Sequence, residues 1–228
     1  MTLALQFAMA AEATPFLERR GLAHAHTDPR YGFEFHEGDG LVVAIAGTHP
    51  RYRVDSIGTI SAALLTSTLL ERYRPALVVN AGTAGGFQAR GAKVGDVFLG
   101  AEVAVFHDRR IPLPGFEAMG RAHLPVHCDR ALAAKLGLKV GVVSTGDSLD
   151  CTPEDLAQLT ALGAQVKEME AASIAWVCER HGVPLVLLKA ITDLVDHPSA
   201  TSEQFVKNLA LAVGRLTDAL EALMEQLP

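Results

Sequence analysis

The chain has 228 residues, 49% hydrophobic and 20% charged, with a formal net charge of −6. This length and balance suit a single domain (residues 1–228) with a large core. With no basic block to offset the negative sum, nucleic acid and anionic membrane are poor partners, and no apolar run approaches the roughly 18 residues of a membrane span.

The apolar N-terminus carries Ala8-Met9-Ala10, which has the look of a signal-cleavage site, but a basic leader is missing and Glu12 ends the run. It is expected to be a buried strand from Leu3 to Met9, followed by a helix from Ala10 to Arg20 that Gly21 stops. Tyr31–Phe35 and Leu41–Gly47 should pair as a hairpin across Gly38-Asp39-Gly40. Thr48–Arg53 forms a loop holding Arg51 and Arg53, before a helix from about Ser56 to Arg74.

A short strand, Leu77–Val79, then leads into a glycine-rich loop, Asn80 to Gly86. A strand follows from Gly95 through Val105. The proline- and glycine-rich segment from His107 to His127 is expected to be an extended loop. Next come a helix over Asp129–Leu136, a strand over Lys139–Ser144, and a helix start at Thr152-Pro153-Glu154-Asp155, with cap, N1 proline and first-turn acids in order. Glu170 opens an apolar helical pattern that ends at Gly182; Leu185–Ile191 is a nearly continuous apolar strand. The last helix should begin at a capping box, Thr201 to Gln204, and its apolar stripe runs from Phe205 to Leu223. Such strand–helix alternation predicts an α/β fold, a three-layer α/β/α sandwich around a central mixed sheet.

Two carboxylates stand out because they sit where charge is costly. Asp193 follows the apolar strand, and Glu170 starts the helix before it, so both should meet in a crevice at the strand ends. Glu12, Glu168 and Glu170 have a plainer reading as first-turn acids favoured by the helix dipole; for Glu12 the alternative is a general base beside the end of the first strand. Buried acids without a nearby cation suit proton transfer. His24 with His26, and His123 with His127 and Cys128, lack a completing ligand at a metal-site spacing. Ser144 and Ser148 form no nucleophile elbow. The three cysteines, Cys128, Cys151 and Cys178, make no disulfide framework and suit a reducing cytoplasm.

Several pieces, in order, resemble the 5′-methylthioadenosine/S-adenosylhomocysteine nucleosidases of the nucleoside phosphorylase superfamily. They are Ala8 to Glu12, Asn80 to Gly86, Gly95 to Phe98, Ser144 to Asp147, Glu168 to Ala171 and Ala190 to Asp193, with Phe106–Pro112 and Leu188–Asp196 similar to the plant-type branch. The resemblance implies hydrolysis of the N-glycosidic bond of an adenine nucleoside in methionine salvage, without cofactor or metal. It implies Asp193 as general acid at adenine N7, Glu12 as the base for water, and Glu170 as holder of the ribose hydroxyls. It further implies substrate contacts from Met9, Thr83, Ala84, Gly85, Leu149, Glu168, Met169, Thr192 and Phe205. A homodimer is implied too, in which Phe106, Ile111 and Pro112 cover the 5′ end of the substrate. Leu149 departs from the pattern, since many bacterial relatives carry a stacking phenylalanine there. The rival readings are a phosphorylase, with Arg51 and Arg53 as phosphate ligands, and a nucleoside-binding protein without catalysis.

Overall fold

The computed structural model describes residues 2–227. In chain order its strands are β1 (Leu3–Phe7), β2 (Ala23–Thr27), β3 (Glu34–Gly38), β4 (Leu41–Ile45), β5 (Leu77–Gly86), β6 (Val97–Phe106), β7 (Leu124–Pro125), β8 (Lys139–Thr145), β9 (Ala164–Glu168) and β10 (Leu185–Leu194). Its helices are α1 (Ala10–Arg20), α2 (Thr59–Tyr73), α3 (Phe116–Arg121), α4 (Arg130–Lys135), α5 (Pro153–Ala161), α6 (Ala171–His181) and α7 (Thr201–Met224).

All ten strands join one mixed sheet. From one edge it runs β2, β3, β4, β1, β5, with β1 parallel to both β4 and β5. β5 then pairs with β10 along most of its length and with β9 at Gly85 and Gly86. Since β10 continues through β6 and β8 back to β9, this end of the sheet curls and closes on itself. Glycine permits the curl. A Cβ on Gly100 would lie 2.8 Å from the Leu187 side chain, and one on Gly141 would lie 2.7 Å from that of Gln165.

The period-two rule divides the core between the two faces. Ala4, Val42, Val78 and Leu187 face α2 and α6, which supply Leu65, Leu69, Ala172 and Ile174. Their chain neighbours Leu5, Val43, Val79 and Leu188 face α1 and α7, which supply Phe16, Leu216 and Leu220. The expected central mixed sheet between helical layers is therefore present.

Local expectations held unevenly. The hairpin turn is there, with Asp39 at φ 50° and Gly40 at φ 76°, the pair of positive values a two-residue turn of this kind uses. β3 begins later than expected, at Glu34, and the edge strand β2 carries His24 and His26 rather than leaving them in a loop or helix. Asn80–Gly86 is no loop: those residues continue β5, because β10 and β9 supply ladder partners that no local pattern reveals. The 107–127 segment contains α3 and β7. The capping box at Thr201 is absent; Ala200 is the cap, and the Gln204 side chain instead bonds Leu194 N at 3.1 Å and Ser199 O at 2.9 Å, closing the loop after β10. The box at Thr152 forms with Asp155.

Candidate active site

The C-terminal ends of β1, β5 and β10 open on one concave cavity. Strands in open α/β sheets present their ligands at that end. Glu12, Glu170 and Asp193 all line it, each delivered by a different element.

Glu12 lies in the first turn of α1, directly after β1, and is 3% exposed. Its carboxylate accepts from Thr83 N at 2.6 Å, Thr83 Oγ1 at 2.7 Å and Met9 N at 3.1 Å. Burial nonetheless raises its pKa above the ordinary glutamate value, with Thr83, Lys189 and Met9 pulling the other way. Three donors hold the group in place, and desolvation makes it a stronger base.

Asp193 owes its direction to a bulge. The β10–β5 register skips between Ile191 and Asp193, so the strand's side chains are re-aimed as it leaves the core. Thr192 Oγ1 lies 2.7 Å from Asp193 Oδ1, and Asn208 of α7 grips Thr192 O at 2.9 Å. Asp193 is 2% exposed, and burial raises its pKa against the opposing Thr192 hydroxyl and Lys167 charge. Gly85 beside it has to be glycine, because a Cβ there would stand 2.7 Å from Oδ2.

Glu170 precedes α6 and accepts Gly58 N at 2.8 Å. Gly58 has φ 98° and sits at the start of α2, whose next residue, Thr59, gives its N–H to Asp147 at 2.7 Å. The N-terminal end of α2 thus holds two carboxylates through backbone N–H groups. Loss of solvent and the neighbouring Glu168 push the Glu170 carboxyl up to about 8.

Glu168 plays a structural part. Its oxygens take the backbone N–H groups of Glu170 and Ala171, the Thr145 hydroxyl, and Lys189 Nζ at 2.9 Å. This pins the start of α6 to β8 and β10.

Besides the acids, Met9, Thr83, Ala84, Gly85, Leu149, Glu168, Met169, Thr192 and Phe205 line the cavity. Phe106 and Ile111 do not: they border a separate cavity with Trp176 and Arg180, and Pro112 borders neither. Phe106 is 1% exposed and packed under the Arg109 guanidinium, 3.5 Å from its ring centroid, so within its own chain it does not reach the acid cavity. Arg51 and Arg53 are exposed and neither lines the cavity, so the cavity of this chain takes no phosphate ligand from them. Sequence reasoning overlooked Ile57, Lys167 and Lys189. A lysine interrupting the apolar run of β10 was a readable signal. Lys167 gave none, because β9 was not recognised as a strand.

A family model described as the phosphorylase superfamily matches residues 2–225. The chain belongs to that superfamily. Within the superfamily it is 39% identical over 217 residues to a 5′-methylthioadenosine nucleosidase of Arabidopsis thaliana, covering 92% of this chain and 80% of that protein. A 5′-methylthioadenosine/S-adenosylhomocysteine nucleosidase of the same plant is 43% identical over 172 residues, covering 75% of this chain and 67% of that protein. The apo structure of the Arabidopsis 5′-methylthioadenosine nucleosidase superposes with a TM-score of 0.93 at 37% identity, covering 98% of this chain and 94% of that one. This phosphorylase-superfamily chain therefore shares its fold with nucleosidases over almost its full length.

Proposed function

We propose that the chain hydrolyses the N-glycosidic bond of 5′-methylthioadenosine, releasing adenine and 5-methylthioribose. The observation that carries the reading is the meeting of Glu12, Glu170 and Asp193 in one cavity, with three different environments for one functional group. Asp193, whose pKa burial raises, is the acid that gives its proton to adenine N7 as the C1′–N9 bond breaks, so that the base leaves neutral. A water adds to C1′ and its proton passes to Glu12. Glu170 holds the ribose hydroxyls by hydrogen bonds beside the developing positive charge. Proton exchange with solvent then restores both groups. Met9, Ile57, Met169 and Phe205 give the cavity an apolar side that suits a methylthio group. S-adenosylhomocysteine is the second candidate substrate, to be compared by turnover.

Hydrolysis is favoured over phosphorolysis because no arginine lines the cavity, while Glu12 would repel a phosphate dianion. The test is product analysis. Adenine release should be indifferent to phosphate and yield the free sugar; phosphate-dependent turnover with the sugar 1-phosphate as product would overturn the reading. No adenine release at all would favour the silent binder.

We also propose a homodimer in the cytoplasm. Supporting the dimer are the exposed apolar side chains Tyr52, Val54, Ile57, Ile60 and Leu64, of which Ile57 lines the cavity, with Leu113, Phe116 and Met119 exposed on the 107–127 segment. Sedimentation at micromolar concentration should give twice the 24.2 kDa chain mass; a monomer there would count against the dimer. Three free cysteines support the reducing compartment.

A further inference from the structure

Lys167 is an ammonium group 5% exposed, in a strand that faces the acid cavity. Its Nζ donates to the backbone carbonyls of Ser148 and, at 3.1 Å, Leu149. Among the described residues no carboxylate lies within ion-pair distance of it, unlike Lys189, which is paired with Glu168. Burying a cation without a counter-charge is costly, and the fold accepts that cost at a particular place. Lys167 is the register partner of Gly85, and Gly85 is the register partner of Asp193. Residues opposite one another on adjacent strands project to the same face. The three therefore form a row across β9, β5 and β10, a cation and an acid with a residue lacking any side chain between them. Strand spacing sets the two flanking backbones about 10 Å apart, a gap that two side chains and the edge of a flat ring can fill.

We propose that Lys167 is a positioning residue for the leaving-group step: it holds the Ser148–Leu149 turn against the cavity and stabilises the negative charge that appears on Asp193 as its proton passes to the departing base. The inference rests on the reading of Asp193 as the acid. Its logic is that a cation facing a neutral acid at rest gains a full partner only as the proton leaves, so the interaction strengthens toward the transition state and raises kcat rather than tightening substrate binding. The two carbonyl acceptors favour the charged form of the amine. Burial pulls its pKa down, opposed by the titratable groups around it: Cys151 and Asp150 before α5, Asp155 on α5 and Asp193 on β10, while His107 after β6 feels its charge.

The experiment compares two leaving groups in K167M and K167Q. K167M removes charge and donor while keeping length; K167Q keeps a donor for a carbonyl and removes only the charge. On methylthioadenosine both variants should lose about 10- to 100-fold in kcat, equivalent to one or two pK units of acid strength, with KM within a few-fold of wild type. Their alkaline activity limb should move to higher pH, because Asp193 without the neighbouring cation holds its proton more tightly. On 4-nitrophenyl 5-methylthioriboside, whose phenolate leaves without a proton, both variants should lose far less than on methylthioadenosine, K167Q least because it keeps a donor for the turn. Wild-type kcat for K167Q on methylthioadenosine, or an equal loss on both substrates, would overturn the proposal, the second outcome marking a merely structural lysine. D193N is run alongside. If the nitrophenyl substrate fails to restore D193N, the reading of Asp193 fails; if it restores D193N but not the Lys167 variants, only the present inference does.

Discussion

Replacing Asp193 by asparagine should slow adenine release from methylthioadenosine by about 100- to 10,000-fold, the range a positioned proton donor typically supplies. The substitution preserves shape, and the Thr192 contact at 2.7 Å survives with an amide oxygen as acceptor, so the fold should be kept. Asparagine cannot donate a proton to N7, and the base would have to leave as an anion. The pH profile carries its own signature. Wild-type activity requires Glu12 ionised and Asp193 protonated. Burial raises the Glu12 pKa from 4.5, so the rising limb should lie above pH 4.5; burial also raises Asp193 from 3.8, and activity should fall as pH climbs through that raised value. In D193N the falling limb due to Asp193 should vanish from the residual rate. Near-normal turnover by D193N, measured by the ultraviolet change on adenine release, would remove Asp193 from the mechanism.

The second large effect is on stability. Lys189→Met should cost about 3–5 kcal/mol, the usual penalty for removing one partner of a buried ion pair. The pair is deeply enclosed: the Lys189 side chain is 2% exposed and that of Glu168 is 1%, with Nζ and Oε2 2.9 Å apart. Methionine fills the space but leaves the Glu168 carboxylate facing apolar strands, held only by Thr145 and the backbone N–H groups of Glu170 and Ala171. For a chain of 228 residues the loss amounts to a fall in Tm on the order of 10 °C. Adding Glu168→Gln should recover much of it, because the stranded charge is gone. Urea unfolding of the two variants checks the claim; a K189M midpoint equal to wild type would mean that the pair contributes nothing. Activity should fall as well, since Glu168 fixes the start of α6, from which Glu170 reaches Gly58.

These two residues also mark the boundary of what the chain's pattern reveals. The apolar run of β10 made Asp193 conspicuous, since an acid at the end of a buried strand has few structural uses. Lys189 interrupts the same run with a visible charge, but its partner Glu168 lies on another strand and could not be named from the pattern. Glu12 had an ordinary reading as a first-turn acid; Thr83, brought to it by β5, supplies the bonds that make it a held and desolvated base. Local chemistry marked the hairpin at Asp39-Gly40, the end of α6 at Gly182 and the start of α5 at Thr152, because each depends on a few adjacent residues.

The family resemblance marked Glu12, while the chain's own pattern determined the alternation of strands and helices and singled out Glu170 and Asp193. Those follow from periodicity, turn chemistry and the cost of burying charge, all of which act along the chain. Only the tertiary structure decided that Asn80–Gly86 is a strand, that the sheet closes on itself, and that Lys167 stands in a row with Gly85 and Asp193. The reason is that ladder hydrogen bonds and buried electrostatics are satisfied by partners distant in the chain, and no local spacing names them.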